Sequence, residues 1–526
     1  MSGNRKTIIQ LSCFIVLCFA ATMIFNGCAD KSCSFDGKRY LPTPSPVSVP
    51  PNDAAFDAMF FKNYGVNPFI DTDDDNLSTF AVDTDTGSYT MCRNYLNRNS
   101  LPPDEAVRVE EFLNYFDYGY MPPSDEKAFA IHLEGAPSKF GQNNKYHMLR
   151  IGIKGREISA TDRKPANLTF VIDVSGSMSR EDRLGLVKET LHLLVEQLRP
   201  TDRIAIVVYG SSAKVVLNPT DTESKFGKQR ILAAIDALTP SGVTNAEEGI
   251  TLGYDVAEKM MGNGDEINRV ILCSDGVANV GKTGPKSIFK QIERQTKKGI
   301  FLSAIGFGMG NYNDVLMEQL GDKGNGHYAY VDSLDEARRV FVENLTGTLQ
   351  VIAKDVKIQV DFNEEVVARY RLLGYENRDV ADKDFRNDKV DGGEIGSGHS
   401  VTALYEIKFV EQPKTGSIAT LRIRYKEPEG DMASEVARTI TLSDFSKSFE
   451  AASPQFRLAA GVAEFAEIAR KSYWAQGSSF SDVLKVLSAI DERNEDTSEL
   501  LALVKKATKL NSEPVEITKR NEETDD

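Results

Sequence analysis

Between about Asn167 and Leu349, short apolar runs alternate with stretches in which apolar residues recur every three or four positions. The runs LTFVIDV, RIAIVVYG, AKVVL, RVILCSD and IFLSAIGFG predict strands. The longer ones are almost continuously apolar, as expected where both faces of a parallel sheet are covered. After the first run, Leu184, Val187, Leu191, Leu194, Val195 and Leu198 mark one apolar helix face. The alternation predicts an α/β domain with a doubly wound, mostly parallel sheet. On either side the pattern changes. KAFAIHLEGAP and KYHMLRIGIKGREI precede the domain, and DVKIQVDF, SVTALYEIKFV and ATLRIRYKEP follow it, all reading as strands. Strands from the two sides are expected to pair into one sheet beside the α/β domain, in a mixed α+β region built from both ends of the chain. SPQFRLAAGVAEFAEIARKS and FSDVLKVLSAI read as helices, with Ser453 capping the first and Pro454 at its start. Their apolar faces read as core rather than as a partner groove.

The two ends of the chain differ from the middle. Arg5 and Lys6 precede an apolar run from Ile8 to Phe25, which reads as a secretory signal over residues 1–27. Gly27-Cys28 resembles a bacterial lipobox, which implies lipidation at Cys28, with an uncleaved anchor as the alternative. Ala29 resembles an outer-membrane sorting residue, so the expected location is the cell envelope, on the outer rather than the inner membrane. Residues 28–55 form a Pro/Ser-rich tether, and 511–526 an acidic tail. The ~450 residues between them suffice for two or three domains, divided at 56–165, 166–349 and 350–510.

A formal charge of −15 argues against nucleic acid, which is gripped by basic patches. Cysteine usage gives no disulfide framework: Cys13 and Cys18 lie in the signal and Cys273 in an apolar strand, leaving a Cys33 to Cys92 bridge as the one candidate.

In doubly wound sheets, ligands bind beyond the carboxyl ends of the strands. The first strand ends in DVSGSM, which contributes Asp173, Ser175 and Ser177, and the fourth ends in SDG, which contributes Asp275. The intervening loop TPSGVTNAEEG offers Thr244. Two carboxylates and three hydroxyls suit a hard cation that keeps several waters, Mg²⁺ best, with Mn²⁺ and Ca²⁺ as substitutes. The bland alternative makes Asp173 and the serines a helix N-cap.

D-x-S-x-S, the loop threonine and S-D-G together resemble the metal-ion-dependent adhesion site of von Willebrand factor A (VWA) domains. That resemblance implies metal binding through the hydroxyls of Ser175, Ser177 and Thr244. It also implies that Asp173 and Asp275 act directly or through water, and that one position stays open for a ligand carboxylate. Residues 77–120, LSTFAVDTDTGSYTMCRNYLNRNSLPPDEAVRVEEFLNYFDYGY, resemble the N-terminal region of bacterial VWA lipoproteins. YRLLGYENRDVADKDFRNDKVDGGEIGSGHSVTALYEI, from Tyr370, resembles their C-terminal domain. The expected function is therefore an envelope lipoprotein, with an adhesion or scaffold role, whose VWA domain binds an Asp or Glu carboxylate of a protein partner through Mg²⁺.

An alternative comes from Gly276, Gly281, Lys282 and Thr283, which match G-x-x-x-x-G-K-[ST] and suggest a nucleotide-binding switch or Mg²⁺-dependent enzyme. Such a loop needs its Lys and Thr in the first helical turn, whereas Gly284-Pro285 delays the helix to about Pro285. That argues against nucleotide. Histidines 132, 147, 192, 327 and 399 are scattered, and no Lys, Arg or general base is identifiable beside the metal set, so no catalytic residue is assigned and a non-enzyme is expected. DTDDDN, from Asp71, reads as a solvated turn rather than a calcium loop, because Asn76 replaces the required Gly. DTDTGSY, with Asp83 and Asp85, reads as a hydrogen-bonded turn, and NDKVDGGEIGSG, with Asp391 and Glu394, as a loop.

Overall fold

The computed structural model describes residues 59–512 apart from 125–126, 141–144, 263, 277–284, 311 and 412–415. The signal, Cys28, Cys33, the tether and most of the acidic tail lie outside the described residues. Among those described, no helix is long and apolar enough to cross a membrane.

The α/β domain holds a six-stranded sheet in the order Tyr328–Val331, Ile300–Phe307, Ile267–Ser274, Ala166–Asp173, Arg203–Tyr209, Ala213–Asp221. Every neighbouring pair is parallel except the last. All eight residues of Ala166–Asp173 are buried, which explains why this central strand reads as continuously apolar. Its side chains alternate: Phe170 and Ile172 enter one core, with helix Leu186–Gln197, while Val171 enters the other, with helix Ala246–Met260. The second helix lies so close to the sheet that a Cβ on Gly253 would fall 2.3 Å from Val171 Cγ2. The doubly wound reading holds. The short Tyr328–Val331 strand was not foreseen.

The flanking strands do interleave, but into two antiparallel sheets rather than one. The first runs Ile70–Asp71, Val367–Leu373, Ser400–Phe409, Tyr146–Gly155, Phe129–Pro137. The second runs Gly393–Gly396, Val351–Phe362, Ser417–Lys426, Ala433–Thr441, with Leu77–Ala81 also paired to Val351–Phe362. Leu149, Ile151 and Ile153 of the first share a core with Ile358, Val360 and Leu421 of the second. Facing each other buries an apolar face of each sheet, which a single sheet could not do. The Gly393–Gly396 strand lies inside the segment read as a loop.

Helices Gly87–Asn97, Val109–Tyr115, Pro454–Ala469, Phe480–Ser488 and Glu495–Ser512 share a fourth core, which also takes Met148, Leu373 and Leu404 from the first sheet. Ser453 accepts from Phe456 N at 3.0 Å, capping the Pro454 helix as read from the sequence. Asp83 Oδ1 accepts from Asp85 N at 2.8 Å, which makes the expected turn, and Asp85 Oδ1 then reaches Tyr328 N at 2.8 Å. Asp73, Asp74 and Asp75 are exposed on their turn. Cys92 and Cys273 are buried free thiols, and the bridge considered for Cys92 needs Cys33, which lies outside the described residues.

Candidate functional site

Three loops meet beyond the carboxyl ends of the central strands. Strand Ala166–Asp173 ends on Asp173, which is fully buried. Asp173 Oδ1 accepts from Ser175 N at 2.8 Å and Oδ2 from Ser274 Oγ at 3.3 Å. The hydroxyls of Ser175 and Ser177 lie 3.0 Å apart. Ser175 precedes the short 3-10 turn Gly176–Ser179, yet its side chain makes no capping bond. The N-cap alternative therefore does not describe what these hydroxyls do.

Backbone bonds pin the threonine loop against the first. Gly176 N donates to Gly242 O at 3.0 Å, and Ser241 N to Val174 O at 2.5 Å. Gly242 has φ +84°, and a Cβ there would lie 2.5 Å from Ser211 Oγ, so this pinning needs glycine. Thr244 follows at the rim, half-buried, and its hydroxyl has no partner among the described residues. Strand Ile267–Ser274 delivers Asp275, also buried. Its Oδ1 is buried without a hydrogen-bond partner, while Oδ2 takes the Arg183 guanidinium.

Arg183 corrects the sequence reading, which found no cation beside this set. It sits on the π-turn Glu181–Gly185, and that turn aims its side chain back at the strand ends. Nη1 also donates to Ser177 O at 2.9 Å, and Nη2 to Met309 O at 2.6 Å and Gly310 O at 3.2 Å. Only a basic residue early in the helix after D-x-S-x-S could have signalled it.

Burial pushes the Asp173 carboxyl up. Burial, reinforced by the charge of Asp173, pushes Asp275 up to about 6. Two acids share a desolvated pocket in which one carboxylate oxygen has no donor. Among the described residues, no group of three or more His, Cys, Asp or Glu could hold a metal, so the two acids would need further oxygen donors to hold a cation here. An oxygen-only donor set with an orphaned buried carboxylate oxygen fits a small hard dication. The phosphate-loop match is divided: Gly276 is described, with φ +77°, whereas Gly281, Lys282 and Thr283 lie outside the described residues. The next helix begins at Pro285, as its sequence indicates.

Residues 167–366 match the von Willebrand factor type A domain model, 55–150 the model named von Willebrand factor, and 347–510 the model named Uncharacterized protein YfbK, C-terminal. The Escherichia coli protein named "Uncharacterized protein YfbK" is 36% identical over 448 residues, covering 80% of this chain and 76% of that protein. The chain belongs to the YfbK family of VWA-domain proteins. Its VWA sheet ends before Val351, since the Val351–Phe362 strand belongs to the sandwich that precedes and follows it in sequence. A human inter-alpha-trypsin inhibitor heavy chain H3 is 24% identical over 269 residues, 48% of this chain and 29% of that one. Among solved structures, a von Willebrand factor type A protein from Catenulispora acidiphila aligns with TM-score 0.43 at 14% identity, covering 75% of this chain and 89% of that one.

Proposed function

We propose that this YfbK-family protein is an envelope-anchored adhesion or scaffold protein, not an enzyme, whose VWA domain binds a protein partner through a metal-dependent site. Ser175, Ser177 and Thr244 would hold Mg²⁺ by their hydroxyls, with Asp173 and Asp275 supplying charge directly or through water. The bound ion would supply one open position for a partner Asp or Glu carboxylate, shielded enough that the attraction exceeds its value in water. The observation that carries this reading is the buried Asp275 Oδ1 without a donor, linked through Arg183 to the loop of Asp173, Ser175 and Ser177, to which the loop of Thr244 is bonded through Gly242 and Ser241. Val243, exposed beside Thr244, gives the rim apolar surface for the partner, because one carboxylate alone binds weakly. Cys28 is the proposed lipid anchor, and its context the outer membrane.

Calorimetric titration of Mg²⁺ into the wild type, Asp173→Ala and Thr244→Ala tests the metal, followed by ATP in the presence of Mg²⁺. The expected result is Mg²⁺ heat that both substitutions abolish, and no heat from ATP. Heat from ATP that Lys282→Ala removes would replace this reading with the nucleotide one.

A further inference from the structure

Where the VWA domain meets the β-sandwich, a cavity of about 390 Å³ is lined by residues of both. Its wall includes Lys154, His327, Asn344, Thr348 and His399. The two histidines are 72 residues apart in a sequence where all five looked scattered. Next to this wall lies Arg269, the largest fully buried side chain in the protein. Its Nη1 donates to Ser303 Oγ at 2.7 Å and its Nη2 to Leu349 O at 3.2 Å, while Nε has no partner. Among the described residues no carboxylate forms an ion pair with it. The compensation it has is the distant charge of Glu394 and the Phe301 ring, 5.9 Å away. A buried guanidinium without a counterion is costly, and proteins seldom keep one.

The donor order runs from Arg269 toward the cavity. Ser303 Oγ accepts from Arg269 and lies 3.2 Å from His327 Nδ1, to which its one proton is free to donate. A neutral His327 then carries its proton on Nε2, which is buried and has no partner. His399 Nδ1 is also buried without a partner. Burial, then Arg269 and His399, lowers His327; burial, then Lys154 and Arg269, lowers His399 to about 4. The charges acting on the two rings are all basic, with no carboxylate among them. The cavity's Glu336 and Asp496 are occupied elsewhere, by Arg93 at 2.9 Å and Arg339 at 2.9 Å. Asp117 and Glu343 also line it, but do not act on the histidines.

We propose that this cavity is a binding site for a small oxyanion, a phosphate or carboxylate group, held by His327, His399 and Lys154 with Arg269 supplying charge through Ser303. Lys154 donates to Gly398 O at 2.6 Å and lies 3.5 Å from the exposed Glu157 carboxylate, so the selection rests on Arg269: two imidazoles could also ligate a transition metal, but a cation would sit near its uncompensated guanidinium, and the electrostatics select an anion. The site is independent of the Mg²⁺ reading, since it shares no residue with the three metal loops.

The test is NMR of the full-length protein with labelled histidines, titrated separately with inorganic phosphate, acetate and Zn²⁺. His327→Gln and His399→Gln assign the two ring signals. The expected result is a saturable shift of those two rings, and not of the other three, with one of the two anions. The better anion identifies the group. Lys154→Ala, at the cavity edge, and Arg269→Met should each weaken that binding by about tenfold or more, as loss of a charge-assisted contact does. Lys154→Ala keeps the test open should Arg269→Met misfold. No saturable shift at ~20 mM of either anion, far above any Kd of functional use, equal shifts of all five rings, or a Zn²⁺ response at lower concentration than either anion would each overturn the proposal.

Discussion

Glu467 fastens the helical layer to the first sheet of the sandwich, and its replacement by Gln has a calculable cost. The side chain is fully buried on helix Pro454–Ala469. It accepts from Arg371 Nη1 at 3.0 Å and from Arg470. Arg371 in turn holds Glu406 at 2.7 Å, and Arg470 holds Glu376 at 3.0 Å. Burial alone would raise the Glu467 carboxyl, but Arg470 and Arg371 more than reverse this and hold it down at about 2, against 4.5 unperturbed. At ~1.4 kcal/mol per pH unit, that depression is worth about 3 kcal/mol at neutral pH. The loss expected on breaking a buried ion pair is of the same order, ~3–5 kcal/mol. Because the folded value lies below the unfolded one, the contribution is complete above pH 4.5 and disappears as pH falls toward about 2. Glu467→Gln should therefore lose about 3 kcal/mol at pH 7, and the gap from wild type should close as the solution is acidified through that window. Carboxylates remote from this network titrate alike in both proteins and cancel in the difference. Urea unfolding read by Trp474 fluorescence suits the measurement. Trp474 is the chain's single tryptophan, edge-on to Phe69 at 4.9 Å and 5.7 Å from the Arg371 guanidinium. A gap that stays constant with pH, or that is absent at pH 7, refutes the charge argument.

Two further substitutions test the packing around the site. Gly253→Leu forces a side chain into Val171, at the closest approach of helix and sheet, and should cost ~1–3 kcal/mol by urea unfolding. Arg108→Met removes the guanidinium shared by Asp314, at 2.5 Å, and Glu111, leaving two buried acids uncompensated; a loss of ~3–5 kcal/mol is expected, and a change below ~1 would show those acids are protonated in the native state.

The parts of this fold legible in the sequence were those governed by local patterning. Continuous apolar runs located five of the six VWA strands, and the Ser453-Pro454 cap located a helix start, because burial on both faces and capping each leave a mark within a few residues. The sixth strand, Tyr328–Val331, has four residues and no room for a periodic signal. The sandwich was misread as one sheet because alternation reports that a strand has one buried face, and says nothing of what covers it. The strand ends that carry Asp173 and Asp275 were legible because the apolar runs that lead to them are continuous. Arg183 and the His327–Arg269–His399 cluster were not, since each depends on where a tertiary contact brings a side chain whose neighbours in sequence are unremarked.

The flanking regions bear on the candidate metal site more directly than a simple support would. Asn313 N donates to Gly276 O at 2.8 Å, so the residue after Asp275 is held by the turn that starts helix Asp314–Lys323. That turn is in turn gripped from outside the sheet: Phe60 N donates to Tyr312 O at 2.7 Å, Asp314 N to Phe60 O at 3.2 Å, and Arg108 pairs with the Asp314 carboxylate. Arg183 ties the Asp275 carboxylate to Met309 O and Gly310 O, four and three residues before Asn313. Asp275 is thus positioned by a loop whose two ends are clamped, one by the VWA helix start and the other by the N-terminal region. The N-terminal segment thus reaches the Asp275 loop through two steps, from Phe60 and Arg108 to the 312–314 turn and from Asn313 to Gly276. The position of Asp275 in this chain therefore rests on contacts from the N-terminal region and the VWA domain together.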